Sequence, residues 1–108
     1  MSKRQATAAE RRYMGAVAAL GCIVCKRLGF EGTPAAVHHQ IRGRGGWGRS
    51  SHYRTIPVCP HHHQHSGEGI HDMGADEYLA MFGFTEAELV DEVREQLKNL
   101  LPASETIH

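Results

Sequence analysis

Cysteine is too scarce in this chain, and odd in number, to build a disulfide framework: there are three, and only two residues separate Cys22 from Cys25. That excludes a disulfide-stapled scaffold and leaves thiolate ligation of a metal as the better use of the spacing. Aromatic residues are few, at 6% of the sequence, and long helical apolar patterns occur only towards the two ends. A chain of 108 residues makes one domain, but its middle is too thin for an ordinary core and needs another staple. No stretch has the length of a membrane span and the first residues lack the apolar core of a secretory signal, so the expected location is the cytoplasm. Formal net charge is zero, which argues against a highly basic protein that coats nucleic acid. The charges are unevenly placed, however. Gln40 to Arg54 carries Arg42, Arg44, Arg49 and Arg54 without an acidic residue, whereas Asp72 to Glu95 is mostly acidic.

Along the chain, Ala6 to Leu20 is rich in helix formers, with Tyr13, Val17 and Leu20 spaced for one face, and Gly21 stops this first helix. Cys22-Ile-Val-Cys25 follows, a spacing in which a tight turn aims two thiolates at one tetrahedral ion. Ala35 to Ile41 has strand character, so the adjacent His38 and His39 face opposite sides and cannot share one role. The segment from Arg42 to Ser51 is too glycine-rich for a helix or strand and reads as a loop carrying cations and one indole. Thr55 to Val58 reads as a short edge strand, because Pro57 cannot donate a ladder hydrogen bond. Pro60 then suits the first turn of a helix that bears His61, His62 and His63. Thr85-Glu-Ala-Glu88 is a capping box ahead of Leu89, Val93, Leu97 and Leu100 at helical spacing, and the chain from Pro102 reads as a frayed tail. The expected organisation is a single domain over residues 1–101, with its motif core at 20–75 and a flexible tail at 102–108.

Eight of the nine histidines fall between His38 and His71, a density that scattered surface or core histidines do not explain. Cys22-x-x-Cys25 and Cys59-x-x-His62 together supply four soft or borderline donors, which suits a closed tetrahedral zinc site joining the first knuckle to the later helix. Such a site contributes directly to folding.

These pieces resemble the zinc-stapled HNH, or ββα-metal (His-Me finger), nucleases. The matching residues are Cys22-x-x-Cys25, Val37-His38-His39, Pro57-Val58-Cys59, His62-His63 and Ile70-His71-Asp-Met-Gly74. Within that family the order is most similar to the phage recombination-enhancement, RecA-dependent nuclease group and its prophage relatives, over roughly residues 20–95. The resemblance implies a small α+β fold, a zinc-stapled ββα-metal core flanked by an N-terminal helix and C-terminal helices. It makes His38, His63 and His71 ligands of a catalytic metal and His39 the general base. His65 competes with His71 as third ligand; Gly67 and Gly69 favour a loop that returns His71 to the site. His61 is expected to face solvent. The asparagine of the family name is missing between His39 and His63, and His52 is the nearest polar substitute to support the base.

The implied activity is hydrolysis of DNA phosphodiester bonds to 5′-phosphate products, in phage or prophage recombination or processing, inside a host cell's cytoplasm. Its partners would be double- or single-stranded DNA and a recombinase filament such as RecA. The implied cofactors are a structural Zn2+ and a second divalent ion among Zn2+, Mg2+, Mn2+, Ni2+ and Co2+. Arg42, Arg44 and Arg49 are candidate phosphate contacts and Trp47 a candidate base-stacking residue, against an indole packed inward. Two other readings stay open. One is a zinc-stapled nucleic-acid-binding module without catalysis; the other is an accessory HNH nuclease of a phage DNA-packaging or recombination machine, docked through the acidic helix from Thr85 to Leu100, which otherwise is a scaffold with a solvated face.

Overall fold

A computed structural model describes residues 5–41, 51–64 and 66–105. Thr7 starts helix α1 (Ala8–Ala19): its hydroxyl accepts the Glu10 N–H at 3.1 Å while the Glu10 carboxylate accepts the Thr7 N–H at 2.7 Å. Tyr13 and Val17 are buried on the inner face. Leu20, expected beside them, is the C-cap and lies partly exposed, because Gly21 turns the chain with φ 77°. That turn brings the Cys22 N–H to the Thr33 carbonyl at 2.8 Å, and a Cβ on Gly21 would stand 3.2 Å from the same oxygen. Glycine is therefore required by both its backbone angle and its surroundings.

Cys22 is the N-cap of the short helix α2 (Ile23–Arg27), its sulfur accepting the Cys25 N–H at 3.4 Å. Strands β1 (Ala36–His39) and β2 (Thr55–Val58) pair antiparallel, with His38 opposite Ile56 and His39 opposite Thr55. Pro57 has only β1 as a ladder partner, as an edge position demands, yet every residue of β2 is buried. Helices α1 and α2, the following turn α3 (Pro60–His63) and α5 (Glu86–Gln96) all pack on it, so it is an edge in hydrogen bonding and the centre in packing.

Between them lies α4 (Ala75–Phe82), which the sequence reading leaves unassigned. The Gly74 N–H is held by the Glu77 carboxylate at 3.0 Å, Tyr78 is buried, and Gly83 at φ 82° ends the helix. The capping box at Thr85 starts α5, which buries Leu89, Val90 and Val93. The helix stops at Gln96 and Lys98–Leu100 continues as a 3-10 turn, so Leu100 leaves the buried face despite its spacing. Of the tail expected beyond Pro102, residues 103–105 are described. Ala103–Glu105 forms a second 3-10 turn, because buried Arg94 takes acceptors there: it donates to the Tyr53 carbonyl at 2.8 Å, the Glu105 carboxylate at 3.2 Å and the Glu105 carbonyl. Residues 106–108 lie outside the described residues. Among the described residues no helix is long and apolar enough to cross a membrane.

Candidate metal centres

The knuckle at the start of α2 and the turn α3 meet against β2, bringing Cys22, Cys25, Cys59 and His62 together with all four buried. The Cys25 and Cys59 sulfurs are 3.8 Å apart, and the Nδ1 of His62 lies 3.7, 3.4 and 3.3 Å from the sulfurs of Cys22, Cys25 and Cys59. A tetrahedral zinc ion with its usual bond lengths spaces two sulfurs by about 3.8 Å and a sulfur and nitrogen by about 3.5 Å. The donor set fits zinc in type and in spacing, whereas a disulfide would need the sulfurs at about 2.05 Å.

Burial also acts on the protonation of these donors. Burial pushes the Cys22 thiol up to about 11. Burial opposes ionisation at Cys59 too, but hydrogen bonds from the His62 and His61 backbone and from the other two thiols outweigh it and lower that thiol below its ordinary value. Burial, together with the charge of His61, lowers His62. Burial thus works against charge at Cys22 and His62 while hydrogen bonds favour it at Cys59, and a cation held among the donors would favour the ionised thiols.

The second cluster begins at the next residue of α3. His62 and His63 leave the turn in different directions, and His63 meets His38 from β1 and His71 from the following loop, with one ligand atom from each within 4.8 Å of the others. Ring centroids are 5.2 Å apart for His38 and His63, 4.8 Å for His38 and His71, and 4.6 Å for His63 and His71. His38 is buried, His63 half-buried and His71 exposed, so the group opens from the core to solvent. The loop is tied to α3 by Ile70 N–H to the His62 carbonyl and His71 N–H to the His63 carbonyl, both at 2.9 Å. Gly69 permits this approach, since a Cβ there would lie 2.5 Å from the carbonyl carbon of His63 and the nitrogen of Gln64. The Asp72 carboxylate closes the loop by accepting the Gly67 and Gly69 N–H groups at 3.1 and 2.9 Å. Three imidazoles suit a first-row divalent ion, with the open side left for water or substrate.

On the other face of β1, His39 Nε2 hydrogen-bonds His52 Nδ1 at 2.9 Å. The alternation of the strand therefore sends one imidazole to the three-histidine cluster and its neighbour to a histidine pair. His61 is exposed and pairs with Glu68 at 2.8 Å. Arg42, Arg44, Trp47, Arg49 and His65 lie outside the described residues. What sequence reasoning missed is Glu86: its Oε2 lies 2.7 Å from His38 Nε2, with both side chains buried. A capping box marks where α5 begins, but not that its first residue turns inward.

The model of the family described as "Recombination enhancement, RecA-dependent nuclease" matches residues 6–103. The chain belongs to this family. The match takes in α1 and α5 as well as both clusters, so all four cysteine–histidine donors and all three converging histidines lie within the RecA-dependent nuclease span. Membership assigns the protein to a nuclease, hence hydrolase, family associated with RecA-dependent recombination.

Proposed function

We propose that this RecA-dependent nuclease family member is a metal-dependent DNA endonuclease with an HNH, ββα-metal active site. The observation that carries the reading is the convergence of His38, His63 and His71 from β1, α3 and a tied loop, beside a closed four-donor cluster. The chain order of β1, β2 and α3 follows a ββα arrangement, and the two neighbouring pairs His38-His39 and His62-His63 each divide between two tasks.

In this reading Cys22, Cys25, Cys59 and His62 hold a structural zinc and His38, His63 and His71 hold the catalytic ion. A bound divalent ion supplies positive charge to the scissile phosphate and the departing 3′ oxygen. His39 accepts a proton from the attacking water on an imidazole nitrogen, and His52 holds the His39 ring, the task an asparagine has in the family pattern. The products carry 5′ phosphates. Arg42, Arg44 and Arg49 bind backbone phosphates and Trp47 stacks on a base; in sequence they follow His38-His39 within a stretch that has no acidic residue. DNA in phage or prophage recombination is the substrate, a recombinase filament the partner and the host cytoplasm the location.

His39→Ala is expected to lower plasmid cleavage by at least about 100-fold while metal content and DNA affinity stay near wild type. Cleavage at the wild-type rate rejects His39 as the base. Metal analysis separates this reading from a non-catalytic binding module: the nuclease holds one zinc tightly and a second ion more loosely, whereas the module holds one zinc. Running the nicking assay with and without a recombinase filament, over several divalent ions, tests the partner and the working metal.

A further inference from the structure

Glu86 is a buried carboxylate that the chemistry above does not use. It is the first residue of α5 and reaches back across 48 positions of sequence to His38. Its Oε2 accepts the Ile41 N–H at 3.0 Å and lies 2.7 Å from His38 Nε2. With Glu86 ionised, Oε2 accepts both hydrogen bonds, and the proton of the shorter one is then carried by His38 Nε2. An imidazole protonated on Nε2 presents its lone pair from Nδ1. Burying a carboxylate is costly unless donors meet it, and here two do, at the N-terminus of an 11-residue helix whose dipole favours negative charge. This side chain is built into place rather than stranded.

We propose that Glu86 is a positioning residue for the second metal centre, holding His38 as the Nε2–H tautomer so that Nδ1 faces His63 and His71. The proposal rests on the reading of these three histidines as a metal site. A carboxylate behind a ligating imidazole fixes ring orientation and raises the basicity of the donor nitrogen. The same oxygen anchors Ile41, so one carboxylate sets both the ligand and the end of the segment that leads to Arg42. The first carboxylate of α5 thus belongs to the site, while Glu88 closes the capping box outside it.

The test uses the full chain loaded with zinc at the four-donor site. Co2+ is titrated into the second site and followed by its visible absorption, and the tautomer of His38 is read from long-range 1H–15N correlations. The wild type is expected to show Nε2–H at His38 and to take up one Co2+ beyond the zinc. Glu86→Ala is expected to weaken Co2+ binding by about 10- to 100-fold and to release the tautomer preference, with zinc content unchanged. Glu86→Gln, whose amide oxygen accepts the same two hydrogen bonds, is expected to recover most of that affinity, which a purely structural ion pair would not predict. An Nδ1–H His38 in the wild type overturns the proposal without recourse to any variant, so a folding defect in Glu86→Ala cannot hide the answer. Wild-type protein that takes up no Co2+ overturns the metal-site reading and this proposal with it. Uptake that Glu86→Ala leaves unchanged overturns this proposal and leaves the metal-site reading standing.

Discussion

At Gly69 a methyl group would meet the backbone of His63 and Gln64 at 2.5 Å, closer than nonbonded atoms approach, so alanine must push the returning chain away from α3. The His71 N–H would then leave the His63 carbonyl and carry its imidazole off the cluster. Gly69→Ala is expected to weaken second-site Co2+ binding at least about 10-fold and to cost about 1–3 kcal/mol of stability, with the zinc retained. Gly67 is the control: its φ of 88° makes alanine strained, but no atom crowds its side-chain position, and second-site binding should survive. Equal Co2+ affinity in both variants would remove the argument that Gly69 places His71.

Tyr13 sits deep beneath α1, and its buried hydroxyl has no hydrogen-bond partner among the described residues. Burial raises its pKa above the ordinary value, with Glu105 adding and Arg94 and Arg54 opposing. A phenol whose folded pKa is raised contributes its full stability below the unfolded value of about 10, and loses it as pH climbs through the folded one. Tyr13→Phe should be within about 1 kcal/mol of wild type at neutral pH and should flatten the alkaline loss, as urea melts over that range would show.

Among the elements, α3 carries the greatest burden for its size. Four residues cannot hold a helix by propensity, so this turn depends on what its side chains grip. His62 and His63 grip different clusters, and single substitutions should separate them. His63→Ala is expected to abolish second-site Co2+ uptake and cleavage but retain zinc and the thermal transition. His62→Ala should release zinc and, with α3 unmoored, the second ion as well. If His62→Ala kept full Co2+ binding at His38 and His71, the dependence of one centre on the other would be disproved. The neighbouring β2 shows a related division: a local rule about Pro57 correctly makes it a ladder edge, yet three helices and a turn enclose it.

For the whole molecule, the four-donor cluster ties the start of α2 to the exit of β2 and to α3, beside the apolar core that α1, α2 and β2 share. Structural zinc contributes about 10–16 kcal/mol in small domains, comparable to or larger than the roughly 5–15 kcal/mol by which folded domains are stable. Chelation that strips the four-donor site is therefore expected to collapse the helical circular dichroism signal and not merely stop cleavage; a metal-free protein with its helices intact would disprove the staple. The sequence by itself determined what is local: the two donor pairs, each with two residues between its members, the capping box at Thr85, the alternation that separates His38 from His39, and the turn at Gly21. Each follows from bond geometry over a few residues. Only the tertiary structure decided which distant groups meet: Glu86 behind His38, His52 beside His39, Arg94 on Tyr53 and Glu105, and the approach at Gly69 that returns His71 to His63. A side chain's heading depends on local backbone, but its partner depends on how whole elements pack, and that packing minimises the free energy of all of them at once.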